Sequence, residues 1–519
     1  MTYGPKVLCL GDNSTEEARA HHLTKNFAEK EKSTFRGQLA HVDQLIEEGF
    51  YHTDLATIKE KDIMEVIDKF DDVTLLDQSV EEYSHPHLFT STWELVKHIT
   101  KVKNKKIHIL NPKNMEFLNY WDKILTENPS FCLYPWVHSV VYNDYHTVCT
   151  QSPDPVTKAS EMKNWKEDPG FNKIRNKMLN GEKIDNCRSC YVQESLGDGV
   201  SIRKHETIEW AALLNLKSQK ELENITSPSY FELRFSNKCN IKCRSCNGHF
   251  SHLISKENKK IKDEEFQNLV KDEDYSTFGG DEIIDWTNLK RVYIGGGEST
   301  VQPELYRFMR NCIKNKNTDF EFRIGTNGVK ISKPLLALFS NFKNLSISVS
   351  TDGTPKIDEY IRWGTNALEK EKNIEKLKQQ GHPIAINFVL SIWNVSYIGE
   401  IMEYLDRQYP KAPMHMNVAG YKNDILSPFI FPDKKLVVES VKKAMKTEKY
   451  LSNEQRTTSL IDSIADFYQS DKHVDLEKLR KFFYYNDTLD RVRGSQLIDY
   501  IPRLEKCRSF LCEKKTKMY

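Results

Sequence analysis

Residues 236–250 read SNKCNIKCRSCNGHF, and the spacing of three cysteines in this stretch decides how the rest of the chain is read. Cys239, Cys243 and Cys246 stand as C-x3-C-x2-C with no fourth cysteine close by. A structural zinc site wants four ligands, usually as two separated pairs. A [4Fe–4S] cube offers four irons, so three thiolates hold three of them and leave one open to a non-protein ligand. The residues just before the triplet, YFELRFS at 230–236, read as a buried strand. The thiols therefore follow a strand's C-terminal end, the face on which barrel enzymes build their sites from βα loops.

Downstream of the triplet the chain repeats a strand–helix unit. Strands are expected at 230–235, 290–295, 320–325, 345–350, 384–391 and 413–419. The helices between them carry apolar stripes at i, i+3, i+4 and i+7: Leu305/Phe308/Met309/Cys312, Leu335/Leu338/Phe339/Phe342 and Ile398/Ile401/Met402/Leu405. Gly381 suits the left-handed position after a helix. Right-handed crossovers between six parallel strands give a partial (β/α)6 TIM-like barrel over 226–421.

Three further regions flank it. Residues 1–120 alternate apolar strands (KVLCLGD at 6–12, VTLLD at 73–77, KIHIL at 106–110) with helices at 16–30 and 92–100. This reads as a small, open, Rossmann-like α/β domain. Its first turn, GDNSTEE, has one glycine, which excludes the dinucleotide fingerprint, and no chemistry is assigned to it. Residues 121–225 form a cysteine-punctuated, loop-rich module, and 422–519 read as a C-terminal helical extension.

The 519 residues hold 75 Lys+Arg against 74 Asp+Glu, a formal charge of +1, and basic stretches such as Lys256–Lys262 are offset by nearby acids. That balance argues against a nucleic-acid partner. No apolar run reaches the ~20 residues of a membrane span, and the N-terminus lacks the pattern of a signal peptide. The expected location is the cytoplasm, where eleven cysteines point to metal ligation or catalysis rather than disulfides.

With the triplet in its barrel context, further turns fall in order. YIGGGES at 293–299, GTNG at 325–328, SVSTDG at 348–353 followed by Arg362, and FVLSIWN ending at Asn394 follow the second to fifth strands. Together with the cysteines they resemble the radical S-adenosylmethionine (SAM) superfamily. The resemblance implies a [4Fe–4S] cluster on Cys239, Cys243 and Cys246 whose open iron chelates SAM. It also implies reductive cleavage of SAM to a 5′-deoxyadenosyl radical that abstracts a substrate hydrogen. Gly296 and Gly297 would then let the backbone approach the ligand closely, and Glu298 would meet the SAM amine, Asn327 the cofactor, Ser350 the ribose and Arg362 the carboxylate. The superfamily often has an aromatic residue before the third cysteine; here it is Ser245, which leaves the adenine contact open.

A second cysteine set lies upstream. FCLYPWVHSVVYNDYHTVC at 131–149 and CRSC at 187–190 supply Cys132, Cys149, Cys187 and Cys190. Two singles and a C-x2-C pair can complete a four-coordinate site, for iron–sulfur or for zinc. The pattern resembles the SPASM and twitch auxiliary-cluster modules, closer to the single-cluster twitch type. Here it precedes the barrel, whereas in the best-known members it follows. The run CYVQESLGDGVSIRKHE is similar to twitch-containing radical SAM proteins of marine bacteria and phages. A second, auxiliary [4Fe–4S] cluster is the implied cofactor; held by all four thiols, it would transfer electrons or support structure.

Cys9 and Cys312 read as core, and Cys507 and Cys512 as weak candidates for a third site. His249 and His252 flank the cysteine loop, and Pro135 and Trp136 would brace the auxiliary hairpin. The resulting expectation is a radical SAM oxidoreductase or maturase reduced by flavodoxin or ferredoxin. Its substrate is a peptide or protein, with a small metabolite as the alternative. A two-cluster redox sensor or electron carrier would explain the cysteines but leaves the turns at Gly295–Glu298 and Ser350–Arg362 without purpose.

Overall fold

Short apolar runs near the N-terminus pair as parallel strands: β1 (Val7–Gly11), β2 (Phe50–Asp54), β3 (Asp72–Leu76) and β4 (Lys106–Ile109), in the order β2-β1-β3-β4. The computed structural model describes these strands and, from residue 112 onward, all residues except 153, 196–200, 271–287, 411, 420–423, 452–454, 471–472 and 514–519. Three of the four strands coincide with the expected ones. β2, FYHTD, is half polar and carries no buried-strand signal. The helices expected at 16–30 and 92–100 lie outside the described residues, as do the side chains of Cys9 and Cys512.

The chain divides into two compact units. The first comprises residues 1–137, 148–154 and 163–227. Besides the small sheet it holds α1 (Pro112–Glu127), α2 (Pro169–Leu179), α3 (Arg188–Ser195) and α4 (Ile202–Leu213). Asp168 caps α2 by accepting the Phe171 amide at 2.9 Å, with Pro169 opening the first turn. Trp121 of α1 is wholly buried, stacks on Phe131 and donates its indole N–H to Leu216 O at 2.9 Å.

The second unit, residues 138–147, 155–162 and 228–519, is built on a nine-stranded sheet. β5 (His138–Tyr142) and β7 (Thr157–Lys158) each pair antiparallel with β6 (Tyr145–Thr147) between them. Asn143 and Asp144 make the two-residue turn between β5 and β6, both at positive φ, the geometry that matches strand twist. β8 (Tyr230–Arg234), β9 (Arg291–Ile294), β10 (Glu321–Thr326), β11 (Leu345–Ser350), β12 (Ile384–Leu390) and β13 (Met414–Val418) then run parallel in chain order. All six lie within about a residue of the positions expected from hydrophobic pattern.

The sheet does not start at β8. β5, which sits in the sequence among the auxiliary cysteines, pairs in parallel with β8, Val141 beside Leu233. Trp136 and Pro135, expected to brace that hairpin, have contacts elsewhere. They lie in the first unit, where Trp136 packs on Phe131 and the Pro135 carbonyl accepts from Arg175 at 3.0 Å.

Phe231, Leu233, Val292, Ile294, Phe322 and Ile324 share one face of the sheet and enter the main core. α5 (His252–Asn258) follows the cysteine loop, and helices α6 (Pro303–Lys314), α7 (Lys333–Phe339), α8 (Pro355–Ile361), α9 (Ala367–Gln379) and α10 (Ile398–Gln408) pack into that core. The stripes of α6 and α10 are buried along their length. The third stripe differs: α7 ends at Phe339, Leu338 is only half-buried, and Phe342 joins the core from the following turn. Gly381 follows α9 at φ +82°. The opposite face of the sheet is polar; Glu232, Tyr293, Arg323 and Ser346 are neighbours in register.

The C-terminal region is helical: α11 (Lys434–Ala444), α12 (Gln455–Gln469) and α13 (Leu476–Arg493). Asp475 caps α13 through the amides of Glu477 and Lys478, and Gly494 ends it at φ +65°. No described helix is long and apolar enough to cross a membrane.

Candidate active site

β8 delivers the chain into the cysteine loop, and the turn after β9 fixes where that loop begins. The Glu298 amide donates to Lys238 O at 2.8 Å. The Gln302 side-chain amide donates to Ser236 O at 3.1 Å and to Gly296 O at 2.9 Å. Gly297 stands at φ +48°, and a Cβ there would lie 2.4 Å from Lys238 O. The sequence assigned these glycines to close approach by a ligand. What Gly296 and Gly297 admit is the chain itself: a Cβ on Gly296 would meet Arg234 at 2.9 Å. Gly297→Ala combines left-handed strain with overpacking. The expected cost is ~2–4 kcal/mol, read as a lowered midpoint in chemical denaturation.

Glu298 is buried and binds three turns together. One carboxylate oxygen accepts from Thr300 N at 3.1 Å, Thr300 Oγ1 at 2.6 Å and Thr326 Oγ1 at 2.6 Å; the other accepts from Asn327 N at 2.6 Å. The second oxygen keeps room for another donor. Asn327 in turn donates from Nδ2 to Asn240 Oδ1 at 2.7 Å, inside the cysteine loop. On the other side of the loop, Lys242 N donates to Trp363 O and Arg244 N to Ile361 O, so Cys243 falls opposite Arg362. Arg362 pairs with Asp352 through one terminal nitrogen at 3.0 Å. Its Nε is buried and has no hydrogen-bond partner among the described residues. Asp352 also accepts from Val389 N at 2.9 Å, and Asp358 is paired with the buried Lys370 at 2.8 Å. Ser350 lies half-buried at the end of β11, its carbonyl accepting from Lys370.

The surroundings keep the three thiols protonated in the metal-free chain. Burial raises Cys239, pushes Cys243 up to about 11 and raises Cys246 further, with repulsion between the thiols adding to the last two. Arg362 opposes this at all three sulfurs and is itself held above its ordinary value: burial pulls it down, but Cys243, Asp352 and Asp358 outweigh that. Thiols in this state bind a metal with release of protons. Among the described residues no three His, Cys, Asp or Glu side chains are arranged to hold a single metal ion. A four-iron cube takes its thiolates at separate corners, further apart than the vertices of a tetrahedron around one ion.

Residues 233–405 match the family model described as the Radical SAM superfamily. This segment, about a third of the chain, is similar to radical SAM domains. No curated protein matches the chain. Among solved structures, it is similar to histidine-tagged anSMEcpe with bound AdoMet at 16% identity, covering 42% of this chain and 56% of that one, TM-score 0.32. Streptococcus suis SuiB bound to S-adenosylmethionine is similar at 15% identity over 53% of this chain and 60% of that one, TM-score 0.29. The same protein bound to precursor peptide SuiA gives 16% identity, 64% of each chain and TM-score 0.29. The chain thus spans 56% to 64% of the length of these three structures.

Several residues that hold the cysteine loop in place carry no motif. His252 accepts the Cys239 amide on Nδ1 at 3.2 Å, whereas His249 packs edge-on against Tyr142. Gln302 and Arg244 are buried. A buried arginine inside a cysteine triplet was the one available signal.

The four upstream cysteines meet in the first unit. Cys132, Cys149, Cys187 and Cys190 line one cavity, closed off by Val148, Met178, Ile202 and Arg203. Burial raises all four thiols, Cys187 to about 12, and Cys187 and Cys190 add to the rise of Cys132 and Cys149. Donors already face the sulfurs: Gln151 N lies 3.3 Å from Cys149 Sγ, and the Arg203 amide and the Tyr191 hydroxyl serve Cys190 and Cys187. The Arg203 guanidinium is neutralised by Glu194 at 2.6 and 2.8 Å and also donates to Phe131 O at 2.8 Å. Cys312 and Cys507 are buried in the main core of the second unit.

Proposed function

We propose that the protein is a radical SAM enzyme. The observation that carries this reading is the three-cysteine loop at the end of the first barrel strand, tied to the turns after β9 and β10 through Glu298 and Asn327. Cys239, Cys243 and Cys246 would hold a [4Fe–4S] cluster. When bound, that cluster supplies the one electron by which SAM divides into methionine and a 5′-deoxyadenosyl radical, which takes a hydrogen atom from substrate. The free position on Glu298 suits the SAM amine, and the uncommitted Nε of Arg362 suits its carboxylate. Ser350 is given to the ribose.

Arg362→Lys keeps the charge and loses the fork. The expected result is a KM for SAM raised about tenfold with a smaller change in kcat, measured from initial rates of 5′-deoxyadenosine formation.

We further propose that Cys132, Cys149, Cys187 and Cys190 hold an auxiliary [4Fe–4S] cluster, which when bound supplies an acceptor for the electron left on substrate. Four thiols lining one cavity, with donors facing the sulfurs, support this reading; a structural zinc on the same thiols is the alternative. A flavodoxin or ferredoxin would be the reductant. A peptide or protein substrate suits the length of chain devoted to the flanking regions. The polar row Glu232, Tyr293 and Arg323 favours the second reading, a small polar metabolite.

The test is anaerobic reconstitution, a count of iron and sulfide per chain, and assay of 5′-deoxyadenosine from SAM with dithionite. About eight irons with deoxyadenosine supports both clusters. About four irons with one zinc removes the auxiliary redox step. An intact cluster that yields no deoxyadenosine sinks the enzyme reading.

A further inference from the structure

Helix α13 reaches the cysteine loop from the far end of the chain. Arg244, between Cys243 and Ser245, is wholly buried. Its guanidinium donates to Asp490 Oδ1 at 2.6 Å, Ser495 Oγ at 2.8 Å and Tyr360 O at 2.9 Å, and lies over the Tyr360 ring at 3.7 Å. The Arg244 carbonyl accepts from the Tyr485 hydroxyl at 2.7 Å. On the other side of Cys243, Lys242 pairs with Glu257 of α5, whose second oxygen accepts from Arg493 at 2.6 and 3.1 Å. Tyr485, Asp490 and Arg493 fall on one helical face, at i, i+5 and i+8. Asn486 completes it: Trp393 donates to its Oδ1 at 3.1 Å, and its Nδ2 donates to the Tyr360 hydroxyl at 2.7 Å. That hydroxyl in turn donates to Asp490 Oδ2 at 2.9 Å. Both neighbours of Cys243 are thus fixed, directly or through Glu257, by one helix.

We propose that α13 is a positioning element of the barrel site: Asp490 on Arg244, and Arg493 through Glu257 on Lys242, hold the cysteine loop in the shape that presents a cluster to SAM. This rests on the radical SAM reading above. Nothing in α13 touches a reacting atom. Its effect is to set the path of residues 242–244 against Ile361 and Trp363, and so the approach of Arg362 to Cys243. Because the cluster ligands and the cofactor-facing arginine are ordered by the same contacts, loosening them acts first on the match between cluster and SAM.

The test is Asp490→Asn in the full reconstituted chain, read by electron paramagnetic resonance of the dithionite-reduced protein titrated with SAM. The expected result is a SAM-induced spectral change that needs at least tenfold more SAM, with deoxyadenosine formation reduced to match and total iron little changed. Asp490→Glu, which restores the charge, should recover part of the shift. Should Asp490→Asn fail to fold, Tyr485→Phe removes only the hydroxyl bonded to Arg244 O, and a smaller shift in the same titration is expected. A SAM titration identical to the unmodified protein in the variants that fold overturns the proposal and leaves the radical SAM reading standing. No SAM-dependent spectral change in the unmodified protein overturns both.

Discussion

Cys243→Ala is expected to abolish 5′-deoxyadenosine formation while leaving a folded protein. Cys243 is half-buried in a loop whose course is set by backbone bonds from its neighbours and by Glu298, Gln302 and Arg244, none of which involves its sulfur. Losing one small thiol costs little packing, whereas losing one of the three proposed cluster ligands would leave two irons unheld by protein. Iron should fall by about half, to the auxiliary content alone, and turnover of SAM with dithionite should drop below detection. A variant that still makes deoxyadenosine would mean that the triplet is not the site of SAM cleavage. Circular dichroism matching the parent separates this loss from unfolding.

Cys187→Ala should give the converse separation. The four upstream thiols line a cavity belonging to a different compact unit from the barrel strands. Removing Cys187 is therefore expected to strip about four irons yet leave deoxyadenosine formation from SAM alone within about twofold. Coupled substrate oxidation, which under the proposed role uses the auxiliary cluster as electron acceptor, should be lost. Removal also relieves repulsion: Cys187 is among the causes that raise Cys132 and Cys149, so both thiols should titrate at lower pH in the metal-free variant. If deoxyadenosine formation falls together with the auxiliary iron, the two sites are not independent, and the assignment of separate roles fails.

How much of this was legible in sequence follows from the range over which each residue acts. The barrel strands announced themselves because every second residue meets the same helix-covered face, a signal contained within each strand's own few residues. Grouping four upstream cysteines into one site needed only their number and spacing, and they do line one cavity. The glycines of the turn after β9 were noticed, but their purpose depends on Lys238 and Arg234, which a local reading cannot place. Arg244 illustrates the limit: its ion-pair partner Asp490 lies 246 residues away. The polar residues Asn486, Asp490 and Arg493 interrupt an otherwise apolar face of α13, a pattern that marks a buried network without naming its partner. Phe342 looked like the last step of a helical stripe because a turn following a helix can return a side chain to the same core.

The pairing of β5 with β8 has a consequence for how this chain is assembled and how it can be cut. The edge of the first barrel strand is satisfied by a segment synthesised well before it, Val141 for Leu233, so that contact closes a long loop and comes late in folding. The chain passes between the two units at 137/138, 147/148, 154/155, 162/163 and 227/228, so no single peptide bond separates them. A fragment beginning at residue 228 would keep the cysteine triplet and the turns after the barrel strands and still present β8 as a bare edge of unpaired amides and carbonyls, a template for self-association.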